Sequence, residues 1–303
     1  MKKILISGLV NTETTVKVKE FPIEYFPIEY PFFGVNTNVS GVAYNIAKAL
    51  KTLGDEVEFI TMTGCDYGAS YVMQKINEIG VSTRYIKDIL KETPNSVVLY
   101  DEGGKRQIYC DLKDVQEMTY EFKKEIYHDC DLIVACNTNF NRTLLKQAKL
   151  DGKMIATDVH VLADIEDSYN SDFMKYANIL FLSDENIEGE HRQFLFELEQ
   201  KYQNDIIVLG RGSKGALMYV KDEDKYYEFP AIQVGDVINT VGAGDALFSG
   251  FIHFYTKGFS PIESLIRAEI FAAVKIGYDG AAKGFIDEKQ IEEIYSRVEK
   301  ELH

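Results

Sequence analysis

The feature that most limits how this chain can fold is an alternation of short β-branched runs with helical stretches. The runs "KILISG", "EVEFITMTG", "DLIVACN", "KMIATDV", "NILFLS" and "DIIVLG" are brief, rich in Ile, Val and Leu, and ended by polar or glycine residues. They read as buried strands. Between them lie amphipathic stretches such as "SGVAYNIAKALKTLG", where Val42, Ile46, Ala49, Leu50 and Leu53 recur at helical spacing. Ser40 can cap the start of that helix and Gly54 can close its end. Strands and helices in this order predict an α/β fold, a mostly parallel sheet covered by helices on both faces in a three-layer α/β/α sandwich. With 303 residues, six prolines and no Ser/Gly-rich linker, one domain spanning residues 1–303 is expected.

Two segments break the alternation. "TVKVKEFPIEYFPIEYPF", Thr15 to Phe32, alternates polar and apolar residues, holds a tandem "FPIEY", and carries three prolines that demote it to edge or excursion strands. "SVVLYDEGGKRQIYC", Ser96 to Cys110, reads as a hairpin turning at Glu102–Gly103–Gly104–Lys105. Together, at about residues 12–34 and 95–112, they suit a small β-sheet lid standing off the main sheet. Its aromatic side chains (Phe21, Tyr25, Phe26, Tyr30, Phe32, Phe33, Tyr100, Tyr109) can stack on a ligand ring, pack on the core or meet a second copy. Exposed lid edges favour a homodimer.

Charge narrows the partners. Lys+Arg 33 against Asp+Glu 48 leaves a formal charge of −15, so the average surface repels phosphate backbones and anionic lipid. Neither nucleic acid nor a membrane is an expected partner, and no segment approaches the ~18 apolar residues of a span. "MKKILISGLV" reads as a first core strand, because its apolar run is too short for a signal peptide. Cys65, Cys110, Cys130 and Cys136 form no paired spacing. Reduced, mostly buried thiols in a cytoplasmic protein are the expectation.

"NTVGAGDALFSGF", Asn239 to Phe251, is the stretch with chemical content. As a dinucleotide fingerprint it fails, since Leu247 stands where the third glycine belongs. As a P-loop it lacks the G-K-[ST] ending. A glycine turn opening a buried helix remains open. Leu247, Phe248, Phe251, Ile252 and Tyr255 fall at helical spacing behind it, and Gly258 follows. Amides of Gly242, Ala243, Gly244 and Asp245 would then stand unpaired at a helix start, which attracts anions. A carboxylate there opposes phosphate binding. It makes sense if Asp245 takes the proton of a hydroxyl that attacks the phosphate.

These residues resemble the D-T-x-G-A-G-D signature of the ribokinase-like (PfkB-type) carbohydrate and nucleoside kinase family. "SGVAYNIAKALKTLG" is similar to that family's G-G-x-x-x-N helix, with Ser40 for the first glycine. "GCDYGASYVMQKINEIGVST" is similar to its G-x-D-x-x-G segment, and "RGSKGAL" to its R-G-x-x-G turn. The resemblance covers nearly the whole chain. It implies an ATP-dependent kinase that phosphorylates a hydroxymethyl of a sugar or nucleoside, with Asp245 as base and the amides of Gly242, Ala243 and Gly244 as anion hole. It further implies acceptor contacts from Asn11, Glu13, Gly41 and Asn45, and nucleotide contacts from Gly212, Gly215, Glu269 and Gly280. Mg²⁺ is the implied metal.

Three positions depart from the family pattern. Asn239 replaces the signature's first Asp, which in many relatives helps to hold a monovalent cation, and so argues against a potassium requirement. "SDEN" (Ser183 to Asn186) stands where N-x-x-E belongs, leaving Asp184 or Glu185 to reach Mg²⁺ through water, or a Ser/Asp helix cap. Glu13 replaces Asp in N-x-D, lengthening the reach to the acceptor. These departures leave a second reading, a ligand-binding or regulatory relative with weak catalysis.

Overall fold

A computed structural model of the protein describes residues 1–103 and 105–302, and side chains as far as residue 297. In chain order the strands begin with β1 (Lys3–Ser7), β2 (Asn11–Lys17) and β3 (Val35–Ser40), followed by helix α1 (Val42–Leu53) and β4 (Glu56–Thr63). Next come α2 (Tyr67–Glu78), β5 (Tyr85–Asp88), β6 (Asn95–Tyr100), β7 (Arg106–Asp111) and β8 (Leu132–Ala135). Then follow α3 (Arg142–Leu150), β9 (Ile155–Val161), α4 (Ser171–Tyr176), β10 (Ile179–Ser183) and α5 (His191–Tyr202). The chain ends with β11 (Ile206–Gly210), β12 (Ala216–Val220), β13 (Lys225–Phe229), α6 (Ala243–Thr256), α7 (Pro261–Lys275) and α8 (Glu288–Leu302).

Among the described residues nine strands form one sheet in the order β13-β12-β11-β10-β9-β8-β1-β4-β5. Seven of them, from β11 to β5, run parallel, and β12 and β13 add an antiparallel edge. Strand alternation divides the core. Ile4 and Ile6 of β1 face α1, α2, α6 and α7, whereas Leu5 faces the side covered by α3, α4 and α5. The expected α/β/α sandwich is therefore present. Helix α6 is held by Phe248, Phe251 and Phe254, all fully buried. Each contributes roughly 1.5–3 kcal/mol of apolar burial. Gly250 lets α7 approach, since a methyl there would stand 2.9 Å from the Ala268 Cα.

The second sheet has the order β3-β2-β6-β7. Strand β2 pairs antiparallel with β3 and parallel with β6, and β6 and β7 form the expected hairpin. Of its turn, Gly104 lies outside the described residues. The first lid segment differs from expectation: "FPIEYFPIEY" forms no strand, and the partner of β2 is "VNTNVS" beyond it. Three prolines cannot donate to a ladder, so the aromatic segment loops out with Tyr25, Tyr30, Phe32 and Phe33 strongly exposed. Ser40 does not cap α1. Gly41 holds the N-cap position with no side-chain bond, while Gly54 closes the helix as expected. All four cysteines are free, and two of them, Cys65 and Cys110, are exposed rather than buried.

Candidate active site

Because β1, β4, β8, β9, β10 and β11 are parallel, their carboxyl ends open on one edge of the sheet, where open α/β sheets bind ligands. The lid rises from the end of β1, and α6 begins there too. Gly242 is the N-cap of α6 in the left-handed conformation, φ 79°. A side chain is barred there twice: the conformation disfavours one, and its Cβ would stand 2.3 Å from the Ala281 carbonyl oxygen. The expectation of four free amides needs a correction. The Ala243 amide closes a turn onto the Thr240 carbonyl at 3.1 Å. Those of Gly242, Gly244 and Asp245 find no acceptor among the described residues, leaving three donors at the positive end of the helix.

Asp245 sits in the first turn, partly buried. The Asn45 side-chain amide of α1 donates to its Oδ2 at 2.7 Å. Burial pushes the carboxyl above its ordinary range, and Asp158 adds to this, while His160, the Asn45 bond and Lys275 pull it back. A raised carboxylate nearer neutrality is a better proton acceptor than a free one. Asp158 and His160 close β9, with the His160 amide on Asp158 Oδ1 at 2.8 Å and His160 at φ 59°.

On the lid side, Asn11 donates to Ser96 Oγ at 3.0 Å. Glu13, in register with Ser96 on β6, is raised by burial while the Ser40 and Ser96 hydroxyls act against that rise. The side-chain oxygens of Asn11 and Asn45 are buried with no partner among the described residues. Buried acceptors rarely go unpaired. Both are open to donated hydroxyls, Asn45 on the side chain that holds Asp245 and Asn11 beside Gly41. Gly41 brings α1 against the Leu9 carbonyl, which would stand 2.7 Å from a Cβ there. Asp66 caps α2 at the Ala69 amide and binds the Thr93 amide and hydroxyl, mooring the chain that enters β6.

On the opposite side, Gly212 stands in an open turn after β11, and Gly215 is pressed on the Phe229 carbonyl, 2.0 Å from its would-be Cβ. Glu269 of α7 is 9% exposed, and burial pushes it up to about 7, with Arg211 opposing. Gly280 follows α7 at φ 100°. Of "SDEN", Ser183 ends β10 and the rest turns away from it, and α5 is capped at Glu190, so the helix-cap alternative does not hold. Asp184 is half-buried, 3.8 Å from His191, and Glu185 is exposed. No cluster of three metal-ligating side chains occurs among the described residues. Mg²⁺ commonly takes one or two carboxylates, water and nucleotide phosphates, so single carboxylates fit it.

The family model for pfkB family carbohydrate kinases matches residues 1–288. The chain belongs to that family. It is 25% identical over 291 residues to a nucleoside kinase of Methanocaldococcus jannaschii, covering 94% of this chain and 92% of that one. A microbiome-derived acarbose kinase, Mak1, superposes with a TM-score of 0.87 at 20% identity, over 96% and 98% of the two chains. The ribokinase of Arabidopsis thaliana, solved with ribose and ATP, gives 0.80 at 18% identity, over 96% and 98%. This pfkB-family chain is accordingly an ATP-dependent sugar or nucleoside kinase with an alcohol group as acceptor. No helix among the described residues is long and apolar enough to cross a membrane.

Around Asp245 and on the smaller sheet the structure places residues that motif reading passed over. Asp158 and His160 lie near the carboxyl end of a parallel strand, and of the two only Asp158 falls within "KMIATDV". Ser96 emerges only from lid pairing. Lys275 carried no signal at all.

Proposed function

We propose that this kinase transfers the γ-phosphoryl of ATP to a hydroxymethyl of an uncharged sugar or nucleoside bearing vicinal hydroxyls. The observation that carries this reading is the placement of Asp245. Its carboxylate is held by Asn45, whose own side-chain oxygen is orphaned, beside the free amides of Gly242 and Gly244. The acceptor's hydroxyls donate to Asn11 Oδ1, Asn45 Oδ1 and the Glu13 carboxylate, with Gly41 allowing close approach. Asp245 takes the proton of the attacking hydroxyl. The oxygen then bonds to the γ-phosphorus as the bond to the ADP oxygen breaks, and negative charge gathering on the phosphoryl oxygens meets the helix-start amides.

ATP lies along the carboxyl edge toward β11, bordered by Gly212, Gly215 and Gly280, with Glu269 behind. Mg²⁺, when bound with the nucleotide, neutralises phosphate charge. Asp184 would hold its waters, aided by Asp158, and exposed Glu185 contributes at longer range. Lid closure excludes water from the transfer. The exposed aromatic loop between β2 and β3 pairs two copies through their lids.

The test is a phosphotransfer screen of sugars, sugar phosphates and nucleosides with ATP, read by product mass. One neutral sugar or nucleoside class should gain a phosphoryl group at a primary alcohol. Phosphorylation confined to sugar phosphates refutes the acceptor class, and ATP binding with no transfer to any acceptor refutes the mechanism.

A further inference from the structure

The last residue of α7, Lys275, is fully buried, which is rare for an ammonium group. It forms no ion pair among the described residues. Its Nζ donates instead to two backbone carbonyls, Asn239 at 3.2 Å and Val241 in closer contact. These belong to the loop that ends in Gly242. The same loop is sewn to the chain after α7 by neutral bonds: the Ile238 and Asn239 amides both donate to the Ile276 carbonyl at 2.8 and 3.0 Å. Asn239 Nδ2 donates to Asp279 at 2.9 Å, and the Val241 amide donates to Asn239 Oδ1 at 2.8 Å.

An ammonium buried without a carboxylate is costly, so a role beyond packing is indicated. Two carbonyl oxygens turned toward one interior point are what a bound alkali ion would require. The negative end of α7 also favours a cation there. We propose that Lys275 is a positioning residue that serves as a tethered monovalent cation. It draws the Asn239 and Val241 carbonyls together and so sets the angle at which the free amides of Gly242, Gly244 and Asp245 meet the phosphoryl group. Potassium is then not needed at this place. The proposal rests on the reading of that helix start as the phosphoryl cradle.

Charged groups facing Lys275 are Asp245 on α6, Asp279 after α7 and Arg106 on lid strand β7. Burial lowers its ammonium to about 8, the two carboxylates oppose this, and Arg106 adds to it. Turnover should therefore fall as pH rises past about 8.

The test compares turnover of the full chain, with ATP and an acceptor from the screen, in tetramethylammonium and potassium buffers. Wild type should change less than ~2-fold, because the carbonyls are already engaged. Lys275→Met, which keeps the apolar stem, should lose roughly 10²-fold in kcat with both KM values nearly unchanged and the alkaline limb gone. Lys275→Ala, which leaves a gap beside the carbonyls, should regain part of its kcat on addition of potassium or ethylammonium, whereas Lys275→Met should not. Three results would overturn the proposal: potassium activation of wild type by more than ~10-fold, wild-type kcat in Lys275→Met, or a folded Lys275→Ala that no cation rescues. Asp245→Asn separates the two readings. If that variant is inactive while Lys275→Met is fully active, only the tethered-cation proposal fails; if it is fully active, the assignment of the base fails, and with it the proposed function on which this proposal rests.

Discussion

Replacing Gly242 by alanine tests whether the cradle's backbone geometry carries catalysis. The new methyl would lie 2.3 Å from the Ala281 carbonyl oxygen. Restoring an ordinary contact of about 3.4 Å needs roughly 1 Å of separation between the α6 start and the segment after α7, on top of the ~1–2 kcal/mol cost of a left-handed alanine. A misplacement of about 1 Å in a catalytic constellation can cost on the order of 10²-fold in rate. The expected outcome is a kcat reduced about 10- to 100-fold and a lower melting temperature, measured by a coupled ADP assay and calorimetry. Gly235→Ala, in the same loop but with no atom within 4 Å of the added methyl, is the control and should stay within ~2-fold. A Gly242→Ala variant with more than about half of wild-type kcat would refute the reasoning, since the amide positions would then tolerate displacement.

Other outcomes follow from the same geometry. Glu13→Gln should raise the acceptor KM about 10- to 100-fold, the worth of a charge-assisted hydrogen bond, and leave the ATP KM nearly unchanged. Glu269, held up at about 7 by burial, binds its proton more tightly folded than unfolded, so its stabilising protonation is complete at low pH and lost as pH rises through about 7. Glu269→Gln should therefore melt higher than wild type at about pH 8, by an amount worth on the order of 3 kcal/mol, with the gap closing toward about pH 5. Phe33→Asp, on the exposed lid loop, should shift the sedimentation profile toward monomer without changing the melting temperature.

Six parallel strands and the lid hairpin were legible because β-branched runs between glycines have few other uses in a folded chain. The edges were not. "ALMYV" and "KYYEF" follow a turn that also reads as a plain loop, and "YIKD" is too short and charged to stand out. "VNTNVS" lacks apolar alternation, and its place was taken by "FPIEYFPIEY", whose alternation is real but whose prolines forbid pairing. Candidate site residues on contiguous motifs, Gly242 to Asp245 and Gly41 to Asn45, could be proposed from the sequence. Ser96 and Lys275 could not, because their partners lie 85 residues away in one case and 34 to 36 in the other. A lysine in "FAAVKIG" looks like a solvated side chain until the loop before α6 folds over it.

The most direct measurement is the turnover of Asp245→Asn, paired with calorimetric ATP binding on the same preparation. Loss of at least ~10²-fold in kcat with ATP affinity preserved is the predicted result, because an amide keeps the shape and the contact with Asn45 but cannot take the proton. Near-wild-type turnover in that variant would contradict the assignment of the base.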